Sequence, residues 1–422
     1  MRKIIFITIL AISFHSFSQD NSGKNIEKKT LEYFNAEQWK ELINFGEENT
    51  QDYYFFNIRM GVAYFSERQY HSAEKYFKKA IKQQATEYAK EYLFWTYFNL
   101  GEIVLAEQVY DGLATETKRN IDYRKTAIES IYLEGGVKSP NTNEIENTYY
   151  GNIVLKHRLG KNIKVLHSVN LFLQNDGTQD FNSFQYHLSG TYYLETSAFS
   201  LGGIYSKSEF TYADSEEITG DFGNLLIQNS ESASDGNTYS IYANYSRRFN
   251  RLRVNANFNY LTQNSTNKNF TKLYLKDDGS LISEDFNNYK TTETVYIPSI
   301  GAMYTPAFTK DRLSVGADIF IAITENDTNL IFKPYLNIFV TDQLWINTHY
   351  LQVKDHLFAD YSSEILYNTP DLSVNRFVST INYAFSKSII TKLTYTFENY
   401  DFTSVDLNYN INSIFLGIQY KF

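Results

Sequence analysis

Along most of the chain, apolar and polar residues alternate with a period of two. Arg251 to Leu261 is the clearest run: Leu252, Val254, Ala256, Phe258 and Tyr260 alternate with Arg253, Asn255, Asn257 and Asn259. In an extended strand this puts one set on each face, one suited to apolar surroundings and the other to water. Similar runs recur near Ile153, Val169, Tyr192, Ile204, Ile241, Ile300, Ile319, Leu336, Ile346, Ile381 and Leu393. The last run is Ile411 to Phe422, where Ile414, Leu416, Ile418, Tyr420 and Phe422 share one side and Phe415, Gly417, Gln419 and Lys421 the other. Glu129 to Lys138 supplies one more strand at the front of the series. The pattern predicts about 14 antiparallel strands over 129–422.

Before residue 129 the period is helical. Asn57 to Ala80 carries Gly61, Tyr64, Tyr70, Ala73, Phe77 and Ala80, and a second copy carries Tyr97, Gly101, Ala106 and Tyr110. These residue types and their spacing resemble the tetratricopeptide repeat, in which small residues let two helices approach and larger ones fill the neighbouring turns. Trp39, Leu42 and Phe45 read as the second helix of a partial repeat, and a helix over roughly 116–126 would close the stack. The resemblance implies a helical domain over 28–126 with a concave surface for a periplasmic protein or a polymer. A short helical spacer is the alternative.

Connections between the strands alternate in length. Short turns lie near Leu159-Gly160, Thr196-Ser197, Asn250, Lys310-Asp311, Asp342-Gln343 and Ser386-Lys387. Longer ones run from Asp214 to Asp235, Gln263 to Lys290, Asp355 to Asp371 and Asp401 to Asn410. This sorting by parity, with a period of two that runs to a terminal aromatic, resembles the bacterial outer-membrane β-barrels. There the short turns face the periplasm and the long loops the outside. The resemblance implies that Ile418, Tyr420 and Phe422 form the signal read by the barrel assembly machinery. It also implies contact with outer-membrane lipid and lipopolysaccharide. The expected fold class is α+β and multidomain: periplasmic helical repeats, then a transmembrane antiparallel barrel. A soluble β-sandwich would alternate too, but gives no reason for loop lengths to sort by parity.

Composition fits this picture. The chain has 422 residues with 36 Tyr and 32 Phe, and only 5 Pro. Aromatics suit strands and membrane interfaces, and Pro is excluded from central strands. Arg2 and Lys3, an apolar run from Ile4 to Phe14, then Ser16 and Ser18 read as a secretory signal peptide over 1–18. The absence of Cys excludes a lipoprotein anchor, disulfides and thiolate metal sites. A net charge of -9 speaks against nucleic acid as a partner.

The phase of each strand points Lys156, Arg158, Arg251, Arg253, Asn255, Asn257, His349 and Lys421 into the lumen. These are the candidate lumenal residues. Phe172, Tyr242 and Phe415 share that phase and are candidates to block it. His157 and His167 fall on the lipid-facing set, and His356 sits beside Asp355 where an outer loop is expected to begin. Acidic clusters at Asp214-Glu216-Glu217-Asp221, Asp277-Asp278 and Glu284-Asp285 read as solvated loops. No nucleophile elbow, H-E-x-x-H motif or Walker loop occurs, so no catalytic residue, metal or cofactor is expected.

Helical repeats followed by a barrel resemble, in architecture, the secretion porins for polysaccharides and the modulators that carry lipoproteins to the cell surface. The short, aromatic-rich and Asn-rich chain also looks like outer-membrane proteins of the Bacteroidetes type. The resemblance implies a non-enzymatic barrel for export or translocation of a polymer. A structural anchor that recruits a periplasmic partner through the repeats is one alternative. A lipid-modifying enzyme at the rim is another.

Overall fold

The computed structural model describes residues 21–422 apart from 122, 124, 143–145, 176–178, 220–224, 277–278, 280, 360–365 and 403–406. The expected signal peptide lies outside the described residues. The chain divides at residue 122 into two compact units, one helical and one built of strands.

Among the described residues the first unit has seven helices: α1 (Asn21–Asn35), α2 (Trp39–Glu48), α3 (Tyr54–Ser66), α4 (Tyr70–Gln83), α5 (Glu87–Asn99), α6 (Ile103–Asp111) and α7 (Thr115–Asn120). The turns inside α1–α2, α3–α4 and α5–α6 are copies of one another. In each, a residue with left-handed backbone follows the first helix: Glu37 (φ 53), Arg68 (φ 63) and Gly101 (φ 74). In each, the next amide bonds back to the carbonyl of an equivalent tyrosine: Gln38 to Tyr33 (2.9 Å), Gln69 to Tyr64 (2.8 Å) and Glu102 to Tyr97 (2.9 Å). This is a helix stop that favours glycine. The hairpin at α1–α2 is therefore complete, where the sequence pattern predicts only its second helix. The early turns of α1 are mostly Asn, Lys and Glu, so no apolar stripe announces it. The closing helix is shorter than expected because Ile121 already takes an extended conformation.

The core of this unit lies where the small residues allow contact. Ala73, Phe77, Ala80 and Ala106 are fully buried, and Tyr64 and Tyr97 nearly so. A Cβ on Gly61 would stand 2.6 Å from the Phe77 ring. Tyr64 stacks on Tyr76 with centroids 5.4 Å apart, and Phe77 on Tyr92 at 5.4 Å. The buried Arg59 ties α3 to α1 by donating to Thr30 Oγ1 (3.0 Å) and to the Glu27 carbonyl (3.1 Å). Burial holds its guanidinium below its ordinary pKa. Of the three stop positions only Gly101 carries the favoured residue. Arg68→Gly is expected to stabilise this unit by about 0.5–1 kcal/mol and Gly101→Ala to destabilise it by about 1 kcal/mol. The thermal melt of the helical circular-dichroism signal checks both.

The second unit is a closed antiparallel barrel of fourteen strands in sequence order, sealed by β1 against β14. The strands are β1 (Ile128–Pro140), β2 (Thr148–Leu159), β3 (Ile163–Asn175), β4 (Gln179–Tyr193), β5 (Ser197–Thr219), β6 (Leu225–Phe249), β7 (Leu252–Leu275), β8 (Leu281–Tyr304), β9 (Leu313–Ile323), β10 (Thr328–Phe339), β11 (Leu344–Ala359), β12 (Leu366–Ala384), β13 (Ile389–Phe402) and β14 (Leu407–Lys421). The seam runs in unbroken register from Ser130↔Lys421 to Pro140↔Ile411.

The wall is uneven. Strands β5 to β8 have 23 to 25 residues, whereas β9 and β10 have 11 and 12. Two connections expected as long loops are mostly strand. The β5–β6 ladder continues to Thr219↔Leu225 and the β7–β8 ladder to Tyr274↔Leu281. Ser, Thr, Asn and charged residues carry these upper ladders, so apolar alternation stops where backbone pairing does not. The stretches from Asp355 and Asp401 are also largely strand, with β11 reaching Ala359 and β12 starting at Leu366.

The outer face is a continuous apolar surface. Ile153, Leu171, Leu201, Ile241, Phe258, Ile300, Ile381, Leu393 and Leu416 all stand exposed on it. So do Ile418, Tyr420 and Phe422, whose last two rings meet edge to face at 4.9 Å. Tyr304, Tyr383, Phe385 and Tyr420 lie on this face near the short turns, and Tyr149, Tyr239, Tyr296 and Tyr395 lie further along their strands. From Tyr296 to Tyr304 is about 27 Å along β8, or about 21 Å of height for a strand tilted by about 40°. That matches the apolar band a bilayer requires.

Candidate functional site

The functional candidates face inward, and the strand phase decides which side chains they are. Basic residues lie near the short turns, buried amides and hydroxyls occur further along the strands, and a buried apolar cluster joins β5 with β7 to β11.

Lys156, Arg158 and Lys421 come together on β2 and β14. Ser130 of β1 pairs with Lys421 on one side and Lys156 on the other, and Arg158 pairs with Lys164 across β2–β3. A register shift between Ile128 and Ser130 bulges β1 at Glu129. The bulge brings its carboxylate to Arg158 Nε (2.7 Å) and Lys164 Nζ (2.8 Å). Lys164 was legible from phase, sharing it with Phe172. Glu129 was not, because a bulge breaks the count of two.

Arg253, Asn255 and Asn257 lie together on β7, with Arg251 in the turn just before it, away from the lysine group. Arg251 is ion-paired with Asp311 of the β8–β9 turn. Asn255 donates to Asp318 Oδ1 of β9 (3.2 Å). Asn257 is buried beside Asn244 and Ser299 of the adjacent strands. His349 is on a third stretch of wall, half-buried on β11 and paired with Tyr335. His187, not singled out by the sequence, is buried on β4 and bonded to the Tyr242 hydroxyl (2.9 Å).

Phe172, Tyr242 and Phe415, the candidates to block the lumen, pack against its wall. Tyr242 covers Gly202, whose Cβ would stand 2.6 Å from the ring, and Phe415 covers Gly136. Phe172 and Phe415 each pack on Tyr150 at 5.0 Å. The obstruction comes from β11. Its ladder with β12 slips twice, at Gln352/Asp355 and Asp355/Leu357, and Leu357, Phe358 and Ala359 are then all buried in succession. A strand on a barrel wall alternates, so three buried neighbours mean that this segment has turned into the lumen. It packs with Ile204, Leu261, Val295, Ile297, Phe320 and Ile331 from β5 and β7 to β10. Phe358 meets Phe320 edge to face at 5.3 Å. The Ala359 carbonyl accepts from Asn259 Nδ2 on β7 (3.4 Å). Asp355 and His356, expected at the start of a loop, belong to β11, and their side chains lie outside the described residues.

Two strands along the wall from β11, Glu398 of β13 is almost fully buried. It bridges Lys138 (3.0 Å) and Arg376 (3.2 Å). On the outer wall, His157 and His167 stack with their Nε2 atoms 3.1 Å apart, and His167 Nδ1 meets the Tyr186 hydroxyl at 2.8 Å. This polar track takes part in neither the lumen nor the seam. Among the described residues, no cluster of His, Cys, Asp or Glu has the makings of a metal site.

No protein-family model matches the sequence, and no curated protein matches it. Several solved structures are similar to the chain. The CymD monoaromatic hydrocarbon channel is 8% identical with a TM-score of 0.47, over 72% of this chain and 90% of that one. The toluene transporter TbuX of Ralstonia pickettii is 9% identical with a TM-score of 0.47, over 71% and 90%. The translocator domain of the autotransporter NalP from Neisseria meningitidis is 10% identical with a TM-score of 0.38, over 76% and 98%.

Proposed function

We propose that this protein is an outer-membrane channel whose lumen is closed by the inward turn of β11 and opens when that segment leaves. The observation that carries the reading is the burial of Leu357, Phe358 and Ala359 inside a barrel whose exterior is apolar. Beyond two register slips the segment stays paired with Leu366 to Asn368 of β12, and it meets the rest of the lumen wall through apolar contacts and one long hydrogen bond from Asn259. Residues 1–18 act as a signal peptide, the helical unit lies in the periplasm, and the short turns face it. Ile418, Tyr420 and Phe422 are recognised by the barrel assembly machinery. The helical hairpins receive a periplasmic partner.

A polymer needs the β11 segment to clear the lumen over its whole width. A small solute needs only Leu357 and Phe358 to move aside. The depth of the plug and the narrowness of a fourteen-stranded lumen favour the small solute over the polymer. The unbroken seam and the helical hairpins also support a second reading, an anchor that holds a periplasmic partner.

Single-channel conductance of the refolded full chain in a planar bilayer separates the two. The wild type is expected to stay closed for most of the record, and Leu357→Asn with Phe358→Ala to conduct steadily. Asn259→Cys with Ala359→Cys is expected to be silent when oxidised and to regain wild-type behaviour on reduction. If the opened variant is silent although demonstrably inserted, the channel reading fails and the anchor stands.

A further inference from the structure

We infer that the short-turn mouth of the barrel holds a binding site for soluble multivalent anions, formed by Lys156, Arg158, Lys164 and Lys421 around Glu129. These four cations are on β2, β3 and β14, with β1 in their midst, and all share the inward phase. One carboxylate serves two of them, at 2.7 Å and 2.8 Å. Among these five side chains, four positive charges face one negative charge, an excess of three. Lys392 of the neighbouring β13 lies over the Tyr132 ring at 4.2 Å, and the Tyr132 hydroxyl donates to Glu134.

Like charges side by side in a sheet lower stability. Basic residues that serve only to hold lipid phosphates belong on the outer face, as with the exposed Arg247. Here the charges face the lumen instead. Neighbouring strands lie about 4.8 Å apart, so two cations on adjacent strands match two linked anionic groups better than one chloride. Phosphate- or carboxylate-rich solutes have that form. The inference names the charge class of the solute for the channel proposed above. The site itself stands on the barrel wall and does not require the β11 segment to move.

The test is calorimetric titration of the full chain, refolded in a neutral detergent, with inorganic pyrophosphate. Wild type is expected to bind saturably, more weakly as sodium chloride rises. Lys164→Gln with Lys421→Gln is expected to bind about tenfold more weakly. Glu129→Gln, which removes the carboxylate shared by Arg158 and Lys164, is expected to bind more tightly. Retained heat-modifiable mobility on gels shows that each barrel is intact. No saturable binding by wild type, or equal affinity in all three proteins, overturns the inference. Displacement of pyrophosphate by added phosphatidylglycerol makes the ligand a lipid head group and overturns the solute assignment. A barrel that binds pyrophosphate yet never conducts leaves the anion site standing while the channel reading falls.

Discussion

Gly136→Val is expected to prevent the barrel from closing. Gly136 pairs with Phe415 in the middle of the β1–β14 seam. A Cβ there would lie 2.2 Å from the Ile414 carbonyl oxygen, 2.4 Å from the Phe415 ring and 2.8 Å from the Phe415 Cα. Two of these neighbours are backbone atoms of the partner strand, so no rotamer change relieves the clash. Strands β1 and β14 must part, and both then present unpaired amides and carbonyls. In hydrocarbon each such group costs several kcal/mol, so the loss is about 4 kcal/mol or more. The folded band on unheated gels is expected to disappear and the protein to become protease-sensitive. Gly151→Val is the control. Gly151 is on the neighbouring β2, where a Cβ meets nothing within 4 Å, and its folded band is expected to persist.

Glu398→Ala has the next largest expected effect. Lys138 and Arg376 share this carboxylate, which is 1% exposed, and the Tyr400 hydroxyl donates to it at 3.3 Å. Removing the carboxylate leaves two cations facing each other inside the wall. The expected loss is about 3–5 kcal/mol, read as a lower urea midpoint of the refolded barrel. Replacing the whole group, with Glu398→Leu, Lys138→Met and Arg376→Met together, is expected to restore most of it, since an apolar substitute carries no stranded charge. A single variant with an unchanged midpoint would mean that water reaches the two cations.

How far the sequence disclosed this molecule depended on whether side chains or backbone set each feature. The alternation of Leu252 to Tyr260 and of Ile414 to Phe422 reports a wall with two different faces, and strand number and seam follow from it. The inward direction of Lys156, Arg158 and Asn255 follows from the same count. That count fails wherever the backbone departs from the ladder. Glu129 enters the lumen through a bulge. Leu357 to Ala359 leave the wall after two register slips, and nothing in their apolar character distinguishes a plug from a lipid-facing run. The upper halves of β5 to β8 carry too few apolar residues to announce themselves, although their backbones stay paired with a single register shift at Leu273/Tyr274. In the helical unit the Gly61, Ala73 and Phe77 pattern reveals the middle hairpin. The polar first turns of α1 conceal its neighbour. The Glu398 bridge joins residues far apart in sequence and left no local signal.

The difference in wall height has a consequence for contact between molecules. Strand β8 pairs with β9 only from Tyr296 to Tyr304, so among the described residues 281–294 have β7 on one side and no strand on the other. This is a long open β-edge with Leu281, Ile282, Phe286 and Tyr289 exposed along it, a template onto which another chain adds as one more strand. Glu284, Asp285, Lys290 and Glu293 interrupt the stretch with charge, and a strand laid against them would have to match both signs in register. Charge on the tallest side of the barrel therefore disfavours the addition of an unmatched strand.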